Sequence, residues 1–150
     1  MSNNLSELIS VFSLFVSISA YVLSKKQLKS SAYESRVATA SAVYQQYLSL
    51  CLSHPDLARG DRTKIENNQD KYGEYKWFIS NMLYSFELIL RISENDAQWQ
   101  AAIESQLMRH SWHLSISKSV KRGEWEKSLS DLIERAIVRA YCQNTLKENR

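Results

Sequence analysis

The sequence predicts an all-α protein: an N-terminal transmembrane helix followed by a small cytosolic helical bundle of three to four helices. Three observations predict it. The 150 residues contain one Pro and three Gly, too few breakers for a turn-dense β protein. An apolar run near the amino terminus is followed at once by lysines. Beyond it, apolar residues recur at spacings of three and four, with no alternating stretch long enough for a strand. The chain is 44% hydrophobic and 23% charged, which places it among folded chains and outside the disordered class. Its length suits one domain.

Leu5 to Leu23 reads LSELISVFSLFVSISAYVL, with thirteen apolar residues, five Ser and one Glu. Nineteen helical residues rise roughly 28 Å, close to the hydrocarbon thickness of a bilayer. Only Glu7 and the amino terminus precede the apolar core, whereas Lys25, Lys26 and Lys29 follow it. Cationic flanks stay in the cytoplasm. The expectation is a single-pass protein of the bacterial inner membrane, amino terminus outside, with residues 1–24 as the span and 25–150 as the cytoplasmic bundle. The three lysines are expected at anionic lipid headgroups. A cleaved signal peptide is disfavoured, because MSNNLSE carries no positive charge ahead of the apolar run.

In the first helix after the span, Ser30 to Ser53 contains no Gly or Pro, and Val37, Ala40, Tyr44, Tyr47, Leu48 and Cys51 share one face. Pro55 disfavours helix at His54 and Gly60 permits a turn; residues 60–70, GDRTKIENNQD, are expected to form a flexible loop. A second helix is predicted from about Lys71 to Ile92, with Tyr75, Phe78, Ile79, Met82, Leu83, Phe86, Ile89 and Leu90 as its apolar stripe. Asn95 or Asp96 can cap a third, which carries Trp99, Ile103, Leu107, His110 and Leu114. Gly123 separates it from a fourth bearing Trp125, Leu129, Leu132, Ile133, Ala136, Ile137, Ala140 and Tyr141. Short connections favour antiparallel neighbours. The tryptophans read as core anchors, except that Trp77 and Trp112 lie off the stripes and could mark a contact surface.

The search for chemistry returns little. Cys51 and Cys142 are too few for a disulfide framework and too far apart for a CxxC metal site; in a reducing compartment they stay free thiols, and Cys51 reads as buried and inert. His110 and His113 lie one turn apart, one expected in the core or a groove and the other in solvent. Two His need a third converging ligand to hold zinc. Glu104 and Glu87 are conceivable, yet nothing in the sequence points to them, so no metal and no cofactor are expected. The phosphate-loop, dinucleotide, zincin and nucleophile-elbow motifs are absent. No Arg has a His after the four-to-six-residue gap of small helical ribonucleases; Arg109 to His113 is one residue too short. No catalytic residue is assigned and no enzyme is expected. The basic groups Lys118, Lys121 and Arg122, and Arg135 with Arg139, are interleaved with acidic residues, so no nucleic-acid stripe forms.

Ser6, Ser10, Ser13, Ser17, Ala20 and Ser24 are spaced four and three in alternation, a seam of small residues down one side of the N-terminal helix. Such a seam lets backbones approach closely and, at a period of 3.5, implies left-handed crossing. It is the expected oligomerisation surface of a homo-oligomer. The alternative is that the serines bond back to their own helix carbonyls.

The order of a short span, a helix ending in YQQYLSLCLSHPDLA, the segment YKWFISNMLYSFELILRIS and a Trp-bearing pair of closing helices resembles the membrane-anchored helical proteins found widely in bacteria, some of which accompany anti-phage defence systems. The resemblance implies an inner-membrane protein with a cytosolic helical domain and transfers no catalytic residue. The function expected is a non-enzymatic interaction protein that oligomerises at the membrane, with a protein partner on the bundle, favoured as a defence effector altering permeability. The alternatives are a pore or transporter accessory subunit, motivated by the serines of the span, and a membrane-tethered enzyme with an unrecognised site.

Overall fold

The computed structural model describes residues 2–94 and 96–148, and the side chains of 12–94 and 96–146. Among the described residues the regular secondary structure is all helix, with no strand. The helices are α1 (Ser2–Ser53), α2 (Pro55–Ala58), α3 (Arg62–Glu66), α4 (Gln69–Ile92), α5 (Ala97–Arg109), α6 (Ser111–Leu114), α7 (Lys118–Lys121) and α8 (Lys127–Glu148). Contacts divide the chain into two units, Met1–Ala38 and Thr39–Arg150.

α1 contains no Gly or Pro, so nothing interrupts it before His54. There the backbone leaves the helical region, with φ −128° and ψ 62°, as expected for a residue preceding Pro. Pro55 then opens α2, where its missing N–H costs nothing. Asp61 starts α3 by accepting the Thr63 N–H, and Asn68 starts α4 by accepting the Lys71 N–H at 3.1 Å. Asp96 caps α5, accepting from Gln98 N at 2.9 Å and Trp99 N at 3.2 Å; Asn95, the other candidate cap, lies outside the described residues.

The second unit holds the core. All eight residues of the stripe predicted for α4 are buried. They pack with Ala40 and Tyr47 of α1, Ile103 and Leu107 of α5, Leu114 of α6, and Leu129, Leu132, Ile133 and Ala136 of α8. At the edges the expected faces shift: Val37 and Leu48 are exposed, as is Tyr141, and Ile137, Cys51, Trp99 and Trp125 are half-buried. Residues 60–70, expected as one polar loop, instead carry α3. The sequence signal was there, an Asp cap at position 61 and one apolar residue, Ile65, which is fully buried and pins the turn.

The membrane span is overturned. Among the described residues no helix is long and apolar enough to cross a membrane. Of the predicted Leu5–Leu23 segment, the side chains of residues 5–11, Glu7 among them, lie outside the described residues. Leu23 is followed by Ser24, Lys25 and Lys26, with Lys29 three residues further on. A stretch of about 20 residues that starts at Phe12 takes in Lys25, Lys26 and Lys29, whose charges are costly in hydrocarbon. With the span go the single-pass architecture, the inner-membrane location and the orientation read from the lysine flank.

Candidate functional site

In the first unit, the described seam residues Ser13, Ser17, Ala20 and Ser24 lie exposed on α1. At about 100° per residue they fall within an arc of about 60°. Ser6 and Ser10 lie outside the described side chains. The Ser17 hydroxyl donates to the Ser13 carbonyl at 2.8 Å, the back-bonding that lets a serine sit in a helix without an outside partner. Large apolar side chains flank the seam on both sides: Phe12, Val16 and Leu23 on one, Leu14, Tyr21 and Leu28 on the other. All six are more than half exposed. Lys25, Lys26 and Lys29 are exposed as well, and the Lys25 ammonium sits 5.2 Å from the centroid of the Tyr21 ring.

In the second unit, the chemistry gathers around the end of α5. His110 and His113, one of them expected in solvent, are both buried. The helix kinks at His110 (φ −107°, ψ 9°) and restarts as α6, which brings both rings onto α4. The Tyr75 hydroxyl and His110 Nδ1 share a hydrogen bond of 2.8 Å. His113 packs edge-on against Tyr72 and Tyr75. Burial, helped by the neighbouring Arg109 charge and by His113, pushes His110 down to about 4; burial and the Lys76 charge also lower His113. Burial raises the Tyr75 phenol. These rings are therefore neutral near pH 7. Trp112 stacks on Tyr75, with ring planes 2° apart, and donates its indole N–H to the Gly60 carbonyl at 2.8 Å. Trp112 thus belongs to this pinned cluster; Trp77, by contrast, is 75% exposed.

Beside this cluster a groove of about 1020 Å³ runs between α5 and α8. Arg109 and Glu104 line it from α5, Arg135 and Arg139 from α8, and Arg62 from α3. Glu104 is buried, its side chain only 7% exposed, with Arg139 Nη1 at 3.0 Å and Arg135 Nη2 at 3.7 Å. Each carboxylate oxygen thus has its own guanidinium, Oε1 the Arg139 group and Oε2 the Arg135 group. Arg62 pairs with Glu66 at 2.8 Å and lies 5.7 Å from the Trp112 ring centroid. Gln100, Gln143 and Asn144 add amides to the walls.

The sequence named Glu104, Arg135 and Arg139 separately, the first as a conceivable metal ligand and the others as a basic pair. Their convergence was not legible, because it depends on how α5 packs on α8. Glu87, the other conceivable ligand, instead accepts the Glu126 N–H at 2.6 Å just before α8. No group of three or more His, Cys, Asp or Glu among the described residues could hold a metal ion. Both cysteines are free thiols, Cys51 half-buried and Cys142 exposed. Lys118, Lys121 and Arg122 are exposed at α7, and Arg122 pairs with Glu124 at 2.6 Å. No family model matches the chain, and no curated protein and no solved structure matches it either.

Proposed function

We propose that the protein is a non-enzymatic interaction protein that works as a homo-oligomer, assembled through the N-terminal part of α1. The observation that carries this reading is the exposed apolar surface of the first unit. Phe12 is 72% exposed, Leu28 68% and Tyr21 62%. A helix that is apolar on most of its circumference is stable in water only when another surface covers it. Each large apolar side chain that becomes fully buried contributes about 1.5–3 kcal/mol.

The seam supplies the geometry. Ser13, Ser17, Ala20 and Ser24 lack bulk, so a second helix can approach closely along them. The large residues on either side then close over the neighbour. The Ser17 hydroxyl, bonded within its own helix, needs no partner across the contact. A second copy of the chain is the simplest occupant, because it offers the same small seam and the same apolar flanks.

Sedimentation equilibrium of the full chain tests this. The expected result is a concentration-dependent oligomer. A monomer at every concentration contradicts the reading, as does association seen only when phospholipid vesicles are added.

A further inference from the structure

A second cleft, between α4 and the segment that joins α6 to α7, lies in the second unit and has no part in the assembly just described. Its volume is about 440 Å³, within the range of small-molecule sites. Ile79 and Leu83 of α4, both almost fully buried, and Ile116, 47% exposed, give it an apolar lining. Lys76 and Lys118 line it as well, and no acidic residue does. Among the described residues neither lysine has an ion pair; the Lys76 ammonium lies 5.0 Å from the centroid of the Tyr72 ring. Glu66, whose charge reaches this corner of the molecule, is held by Arg62 at 2.8 Å. An apolar lining that carries unopposed positive charge complements a molecule with an apolar body and an anionic head.

The second, independent observation is His113. Its ring forms part of the cleft wall although the residue is only 5% exposed. Nδ1 lies 3.5 Å from the Tyr72 hydroxyl, and among the described residues Nε2 has no hydrogen-bond partner. Burial and the Lys76 charge lower the ring's pKa, so it is neutral near pH 7. With the Tyr72 O–H donating to Nδ1, the ring proton sits on Nε2. An N–H at the wall of an apolar cleft gains most when an anion accepts from it. His110 has an unbonded Nε2 too, but it does not line the cleft. The Ser117 and Ser119 hydroxyls share one hydrogen bond of 3.1 Å, so one of their two protons remains to donate. Two ammonium groups and two neutral donors thus surround one small volume and suit the two oxygens of a carboxylate.

The geometry points to a binding site for a small amphipathic carboxylate, its head held by Lys76, Lys118 and His113 Nε2 and its apolar body laid on Ile79, Leu83 and Ile116.

Nuclear magnetic resonance of the full chain tests this by following the imidazole protons of its three histidines, His54, His110 and His113. The probes are hexanoate and phenylpropanoate, with acetate as head alone and hexanol as body alone. The expected result is that at least one of the two amphipathic acids binds at least about tenfold tighter than acetate and than hexanol. Binding of both acids means that the cleft accepts any apolar body; binding of one selects an aliphatic or an aromatic body. The His113 signal moves on binding, and its titration midpoint rises because a bound anion stabilises the imidazolium, while His54 and His110 stay in place. Lys76→Gln combined with Lys118→Gln weakens binding at least about tenfold. Ile116→Ser weakens it as well, whereas Arg122→Gln, outside the cleft, leaves it unchanged. All of these substitutions fall on exposed positions, and circular dichroism confirms that the variants fold. Acetate or hexanol binding as tightly as the acids, no binding of either acid at millimolar concentration, an unmoved His113 signal, or affinity indifferent to the paired lysine variant overturns the proposal.

Discussion

Substituting Ala for each of the three glycines produces effects of different size and sign, each calculable from its surroundings. Gly60 sits in the turn between α2 and α3 at φ +66°. A Cβ there lies 2.7 Å from the Arg109 carbonyl oxygen and 2.8 Å from His110 Nδ1. The left-handed conformation alone costs a non-Gly residue about 1–2 kcal/mol. The Arg109 oxygen is backbone and the His110 ring is fixed by Tyr75, so the turn must move, at about 1–3 kcal/mol for overpacking. That movement also breaks the Trp112–Gly60 hydrogen bond of 2.8 Å, worth about 1 kcal/mol. Gly60→Ala is therefore expected to destabilise the second unit by about 3–6 kcal/mol. Gly123 has the same φ of +66° but nothing within 4 Å of its added Cβ, so Gly123→Ala costs only the conformational part, about 1–2 kcal/mol. Gly73 lies inside α4, also with open space around it, and Gly73→Ala stabilises by about 1 kcal/mol through helix propensity. Urea unfolding followed by circular dichroism at 222 nm measures all three on one scale. Equal losses at Gly60 and Gly123 would refute the close approach of the α2–α3 turn to the end of α5.

Leu132→Ala in α8 removes a fully buried side chain and is expected to cost about 2–5 kcal/mol, whereas Asp131→Ala on the exposed face costs within about 0.5 kcal/mol; denaturant midpoints check both. Trp112→Phe keeps a ring to stack on Tyr75 but loses the donor to Gly60, so a loss of about 1 kcal/mol is expected in the same assay. His110 has its folded-state value lowered to about 4 against about 6.5 when unfolded. The unfolded chain therefore takes up the proton first, and stability is full above about pH 7 and falls as pH drops from about 6.5 through 4, by up to about 3 kcal/mol. The buried His113, also lowered, acts in the same direction. Thermal melts across that pH range should flatten in His110→Gln.

The helical core was readable because α4 repeats apolar residues over about four and a half turns, from Tyr75 to Leu90. Periodicity over that length fixes the buried face without knowledge of what covers it, and Tyr75 to Leu90 are buried as the spacing requires. Shorter or less regular elements were harder to read. α3 has one apolar residue and no measurable period, so its only signal was the cap at Asp61. One of His110 and His113 was expected in solvent, since the two lie about 60° apart around a straight helix; with the helix broken at His110, both are buried. The groove lay beyond sequence reading for a different reason. Glu104 and Arg139 are 35 positions apart on separate helices, and no local rule says that two helix faces will meet. At the amino terminus, composition alone suggested a membrane span. The helix formed as expected, but the apolar stretch ends at Leu23 and lysines follow from Lys25.

Sedimentation velocity on the full chain, with Ser17→Phe and Phe15→Ser compared at equal concentration, bears most directly on assembly through the small-residue seam. Ser17→Phe adds apolar surface but fills the line of close approach. Phe15→Ser removes apolar surface on the side of α1 away from the seam. The account predicts that Ser17→Phe lowers the association constant at least about tenfold while Phe15→Ser leaves the oligomer largely intact. Stronger association in Ser17→Phe together with loss of the oligomer in Phe15→Ser would mean that apolar surface alone holds the copies together, and would contradict a seam.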